Sequence, residues 1–123
     1  MAAQHAGLSP ERFARFSRGQ QLLAVANEMN RASKLFGEED RLRLRSAYER
    51  VMALADLTVL VNDSRSLRRE LLRWRDLIAE QYIAEPPDPG AHAAAFRALL
   101  QLHPDTWQQL PYVTGVARQG PLR

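Results

Sequence analysis

Hydrophobic positions recur along this chain at helical spacing in three long stretches and one short one, and polar caps mark most of their ends. Ser9-Pro10-Glu11 opens the first stretch. It offers a hydroxyl at the cap, a proline at the first helical position where a missing N–H costs nothing, and an acid facing the positive end of the helix dipole. Lys34 and Gly37 predict its end near Phe36, with Gly37 in the left-handed conformation that closes many helices. The second stretch begins at Glu38-Glu39-Asp40, runs to about Val61, and gives way to the cap and turn residues Asn62-Asp63-Ser64. The third runs from Arg65 to about Ala84, where Pro86-Pro87-Asp88-Pro89-Gly90 stops it because proline has no N–H to donate. Ala91 to Leu102 reads as a fourth, shorter helix broken before Pro104, and Asp105 to Leu110 as one further turn.

At about 100° per residue, Leu22, Val25, Ala26, Met29, Ala32 and Phe36 align as one stripe of the first segment. Phe13, Phe16 and Leu23 fall off that stripe, with Gly19 between them as a kink point. They are expected beneath the fourth helix or, failing that, on a partner-binding surface. In the second segment Leu44, Ala47, Tyr48, Val51, Ala55 and Thr58 form the main stripe, while Ala53, Leu54, Leu57, Leu60 and Val61 fill the other sides. A helix that is apolar around most of its circumference sits centrally in a bundle or at an oligomer interface. Asp56 is placed at the water-facing edge of this run, with Arg45 and Glu49. In the third segment Leu67, Leu71, Trp74, Ile78 and Tyr82 share a face, opposite Arg65, Arg69, Arg73, Asp76 and Glu80. Trp74 is then a core anchor whose indole N–H needs an acceptor.

These patterns predict an all-α, up-and-down bundle of about four helices, three long and one short. One domain covers residues 9–110, between a flexible N-terminus at 1–8 and an irregular C-terminal tail at 111–123. The 123 residues can bury one core. The absence of cysteine removes disulfides, thiolate catalysis and cysteine metal sites together, and His5, His92 and His103 lack metal-ligand spacing, so no metal or other cofactor is expected. Met1 to Leu8 lacks the pattern of a secretory signal. The most apolar run, Val51 to Val61, is about half the ~20 residues of a membrane span and contains Asp56. The expectation is a cytoplasmic protein without a membrane partner.

The pI of 9.9 directs attention to nucleic acid, but the formal charge is only +3, and Lys34 is the sole lysine among 17 basic residues. Arginine's very high pKa raises the pI without creating a large field at pH 7. Arg65, Arg68 and Arg69 crowd the start of the third helix, where the dipole disfavours cations, and so mark a candidate patch for an acidic partner. A helix-turn-helix over Thr58 to Trp74 would put the same arginines on a recognition helix. Two long helices joined by a short turn fit an antiparallel αα-hairpin better.

No P-loop, G-x-G-x-x-G, H-E-x-x-H or G-x-S-x-G motif occurs. Arg97 and His103, separated by five residues, resemble the R-x4-6-H signature of the HEPN family, helical bundles that include RNases. The resemblance implies Arg97 as a clamp on a scissile phosphate and His103 as its acid–base partner, roles that suit both side chains. The leading expectation is a non-enzymatic interaction or regulatory module that self-associates as a homodimer, with Phe13, Phe16, Leu23, Arg65, Arg68 and Arg69 facing a protein partner. The alternatives are an RNA-directed HEPN-like nuclease and an arginine-mediated nucleic-acid binder.

Overall fold

A computed structural model describes residues 8–103, and among these every regular element is helical. The α-helices are α1 (Pro10–Phe13), α2 (Arg18–Ala32), α3 (Arg41–Val61), α4 (Arg65–Ile83) and α5 (Pro89–Leu100), and a 3-10 turn at Glu38–Asp40 leads into α3. The four longer helices form a closed ring: α2 packs on α3, α3 on α4, α4 on α5, and α5 back on α2, while α1 lies against α3. This is the all-α bundle that the hydrophobic periodicity predicts. Its core is the stripe of each helix turned inward, led by Leu22, Met29, Val51, Leu71, Phe96 and Leu99. Trp74 anchors α4 to α5, its buried indole Nε1–H donating to the Ala95 carbonyl at 2.7 Å.

The first predicted helix is two helices. The chain leaves helical geometry after Phe13 and restarts at Arg18, ahead of the kink expected at Gly19. The reason is a capping box: the Ser17 hydroxyl accepts from the Gln20 amide while the Gln20 side chain accepts from the Ser17 amide. Two orphan donors of a new helix are thereby satisfied, which is a stronger local preference than continuing through Arg15 and Phe16. Gln21 then ties the break down, its side-chain amide donating to the carbonyls of Phe13 and Phe16, both at 3.0 Å. α2 also ends earlier than expected, at Ala32. Gly37 does not close it; with φ −71° it caps the 3-10 turn in extended geometry that any residue can adopt.

The proline-rich break lies where predicted but is shorter, because Pro89 is already inside α5. Asp88 caps that helix, accepting from the Gly90 amide at 3.1 Å, and Pro89 takes the first helical position, where no N–H is required. On α4 the core-facing residue after Ile78 is Gln81, and Tyr82, which the stripe assignment placed there, is only half-buried. The expected turn at Asp105 to Leu110 and the tail at 111–123 lie outside the described residues.

Candidate interaction surface

The interior holds a relay of polar groups that joins all four long helices. His92, on the inner face of α5, has both ring nitrogens engaged: Nε2 lies 3.0 Å from the Met29 carbonyl of α2, and Nδ1 lies 2.7 Å from the Tyr48 hydroxyl of α3. A carbonyl can only accept, so Nε2 carries the proton, and Nδ1 accepts from the tyrosine O–H. The Tyr48 oxygen in turn accepts from the Gln81 side-chain amide of α4 at 3.3 Å. Gln81 also clips the start of α5, donating to the Asp88 carbonyl at 2.9 Å and accepting from the Asp88 amide at 3.1 Å. Burial lowers the His92 pKa and raises that of Tyr48 to about 12, so both are held neutral. Every donor of the relay meets an acceptor, and the enclosed histidine ties α5 to α2 and α3.

The outside of the α3–α4 hairpin has a different character. Helical spacing places Leu42, Glu49, Ala53, Asp56 and Leu60 on the side of α3 opposite its buried stripe, and Leu72, Ala79 and Ile83 on the corresponding side of α4. Leu42 is 81% exposed, Leu60 64%, Leu72 47% and Ile83 74%. Two cross-helix links set the register of the hairpin: Arg75 meets Asp56 at 2.7 Å, and the Tyr82 hydroxyl donates to Glu49 at 2.6 Å. Arg45 stacks over the Tyr82 ring, 4.4 Å from its centroid. In that register Leu60 stands beside Leu72 near the turn at 62–64, and Leu42 and Ile83 lie toward the other end. The face is a charged middle between two apolar ends. Asp56 is exposed as expected, with Arg75 as its partner in place of Arg45 and Glu49.

Of the aromatic and aliphatic residues assigned to a partner surface from sequence, Phe13 is fully enclosed and therefore cannot contribute. It packs from α1 toward α3 and not beneath the fourth helix, because after the break at 14–17 α1 lies against α3. Leu23 is half-buried against the core, and Phe16 stays 45% exposed, edge-on to Phe13 with ring centroids 5.9 Å apart. Arg65, Arg68 and Arg69 are exposed on the first turns of α4, and none forms an ion pair with a described residue. Arg18 joins this end of the bundle through Asn62, its Nε donating to the side-chain oxygen at 3.2 Å. Asn62 continues the tie inward by donating to Gln21 at 2.8 Å.

Arg97 stands in the last turn of α5, and His103 lies in the turn beyond Leu100, both half-buried. The end of the helix separates them, so no single helix face presents the pair. Shallow depressions lie at the end of the α3–α4 hairpin, lined by Arg41, Arg45, Tyr82 and Pro87, and between α4 and α5, lined by Trp74, Leu77, Ala98 and Leu102. Among the described residues no cluster of histidines and carboxylates is arranged to hold a metal ion, and no helix is long and apolar enough to cross a membrane. The relay was not anticipated from sequence, although Gln81 at three positions from Ile78 and His92 at four from Phe96 both continue apolar stripes with a polar side chain. Compared with known proteins, the chain matches no family model, no curated protein and no solved structure.

Proposed function

We propose that this protein is a non-enzymatic helical interaction module that self-associates through the outer face of the α3–α4 hairpin. The observation that carries the reading is the exposure of Leu42, Leu60, Leu72 and Ile83 on one side of two adjacent helices. Scattered single leucines on a surface are ordinary, but four large apolar side chains on a shared face mark a surface that water covers at a cost. α3 has 21 residues, a length of about 31 Å at 1.5 Å per residue. With helices ~10 Å apart, the face measures roughly 30 by 20 Å, or about 600 Å² per protomer. Two copies bury about 1,200 Å² in total, the lower bound for a specific and stable interface.

Sedimentation equilibrium at tens of micromolar tests the reading, since a dimer with a Kd near 1 μM persists at that concentration. The expected result is a species of twice the 14.0 kDa chain mass, converted to monomer by Leu60→Glu with Leu72→Glu at unchanged helicity. A wild-type protein that stays monomeric throughout that range refutes it.

A further inference from the structure

The fold gathers positive charge that the sequence spreads out. Residues 11–18 and 62–70 hold six arginines against three acids, which equals the whole formal charge of +3, so the rest of the chain is balanced. The bonds from Arg18 to Asn62 and from Asn62 to Gln21 bring these two segments to one end of the bundle. Arg15, Arg18, Arg65, Arg68 and Arg69 are exposed there, and none forms an ion pair with a described residue. By contrast, Arg31, Arg43, Arg50, Arg73 and Arg75 each meet a carboxylate at 2.7–3.9 Å. Phe16 lies between Arg15 and Arg18 in the chain and is 45% exposed. Its place is fixed, because Gln21 donates to its carbonyl at 3.0 Å and the Phe13 ring meets it edge-on. In the hairpin register set by Asp56 with Arg75 and Glu49 with Tyr82, Leu60 is level with Leu71. The arginine-bearing turns at 65–69 therefore lie past the apolar face, toward the turn at 62–64.

We infer that this end of the bundle binds single-stranded nucleic acid, its arginines holding phosphates and the Phe16 ring stacking on a base. The site is separate from the face proposed for self-association and does not rest on it. A planar guanidinium meets a phosphate with two parallel N–H donors. Arg18 is already oriented, since its Nε is held by Asn62 while its terminal amino groups bond no described residue. Arg65 and Arg69 stand one helical turn apart, about 6 Å along α4, comparable to the distance between neighbouring phosphates on an extended strand. Helix stability does not account for the arginines of α4, because the dipole disfavours cations at that end. The exposed ring decides between anionic partners. It adds nothing for a carboxylate-rich peptide, whereas every unpaired base offers a face on which an aromatic side chain stacks, and a duplex keeps those faces covered.

Fluorescence anisotropy with the full chain and labelled oligodeoxythymidylate or oligouridylate, each about 12 nucleotides long, tests the site. Both are expected to bind, because phosphate and base face are common to them. The logarithm of Kd should rise by about 3 for each tenfold increase in salt, as four or five phosphate contacts on a single strand require. A variant carrying Arg65→Gln, Arg68→Gln and Arg69→Gln is expected to bind at least about tenfold more weakly and to lower that slope by about 2, with its urea midpoint unchanged or slightly raised. Phe16→Ala should weaken binding at least about fivefold at an unchanged slope, and Phe16→Tyr should restore it. Arg31→Gln with Arg43→Gln, at the opposite end of the bundle, controls for net charge and should leave the affinity unchanged. Circular dichroism should show every variant still helical. No binding of either strand at about 50 mM salt, where phosphate contacts are strong, overturns the inference. So does binding that the arginine variant leaves unchanged, which puts the contact elsewhere. Binding that is insensitive to Phe16→Ala, and that polyglutamate of equal charge displaces equally well, overturns nucleic acid in favour of an acidic protein. A monomeric protein, which refutes the self-association, leaves this test intact.

Discussion

Replacing Tyr48 by Phe tests whether the buried relay holds the bundle together. The ring keeps its place and only the hydroxyl is lost, so the change leaves no sizeable cavity and isolates the hydrogen bonds. Two bonds disappear, the 2.7 Å contact to His92 Nδ1 and the 3.3 Å contact from Gln81. Gln81 retains both of its bonds to the Asp88 backbone, so its loss is minor. His92 has no such alternative. Its Nε2 proton is committed to the Met29 carbonyl, and the ring is 2% exposed, which leaves Nδ1 a buried acceptor without a donor. A stranded buried polar group costs about 1–3 kcal/mol, the expected loss of stability. For a domain of this size each kcal/mol corresponds to a fall in Tm of about 4–8 °C. Urea denaturation of wild type and Tyr48→Phe at pH 7 measures the difference, with Tyr82→Phe as a control whose half-exposed bond to Glu49 should matter by no more than ~0.5 kcal/mol. A Tyr48→Phe loss no larger than that of the control refutes the relay as a stabilising element.

Leu71 is fully buried on the inner face of α4, and Leu71→Ala is expected to cost about 2–5 kcal/mol from lost burial and the remaining cavity. A midpoint unchanged in chemical denaturation would show that this stripe does not face the core. Stability should also fall in mild acid because of His92, whose folded pKa is lowered by burial. The unfolded imidazole, titrating near 6.5, binds a proton more readily than the folded one. The contribution is therefore complete above about pH 6.5 and is lost as pH drops through that value toward the lower folded pKa, with a limiting slope of about 1.4 kcal/mol per pH unit. His92→Gln, which has no proton to gain, should lack this component. Identical stability profiles of wild type and variant between pH 5 and 7 would exclude it.

Local chemistry determined much of the architecture before any tertiary contact is considered. Helix periodicity, the Ser9-Pro10 and Ser64 caps and the Pro86–Pro89 break set the class of fold, the long α3–α4 hairpin and most of the element boundaries, since each acts within a turn or two of backbone. The Ser17-x-x-Gln20 capping box was legible in the same way, and its pattern identifies the break that the Gly19 kink assignment missed. The crowding of Arg65, Arg68 and Arg69 at the start of α4 is also visible in the sequence, as is the surplus of apolar positions on α3.

Only the tertiary structure decided how those positions were used. The periodicity of α3 says that it is apolar on several sides, but not which sides neighbouring helices cover, and Leu54 and Val51 are buried while Leu42 and Leu60 remain outside. Phe13 and Phe16 lie close in sequence and in space, yet one is in the core and the other at its rim, because the chain turns between them. His92, Tyr48, Gln81 and Met29 come from four different helices, so no local spacing connects them. Their hydrogen bonds exist because the bundle closes, α5 returning to α2 and bringing polar groups together away from water, where each must find a partner.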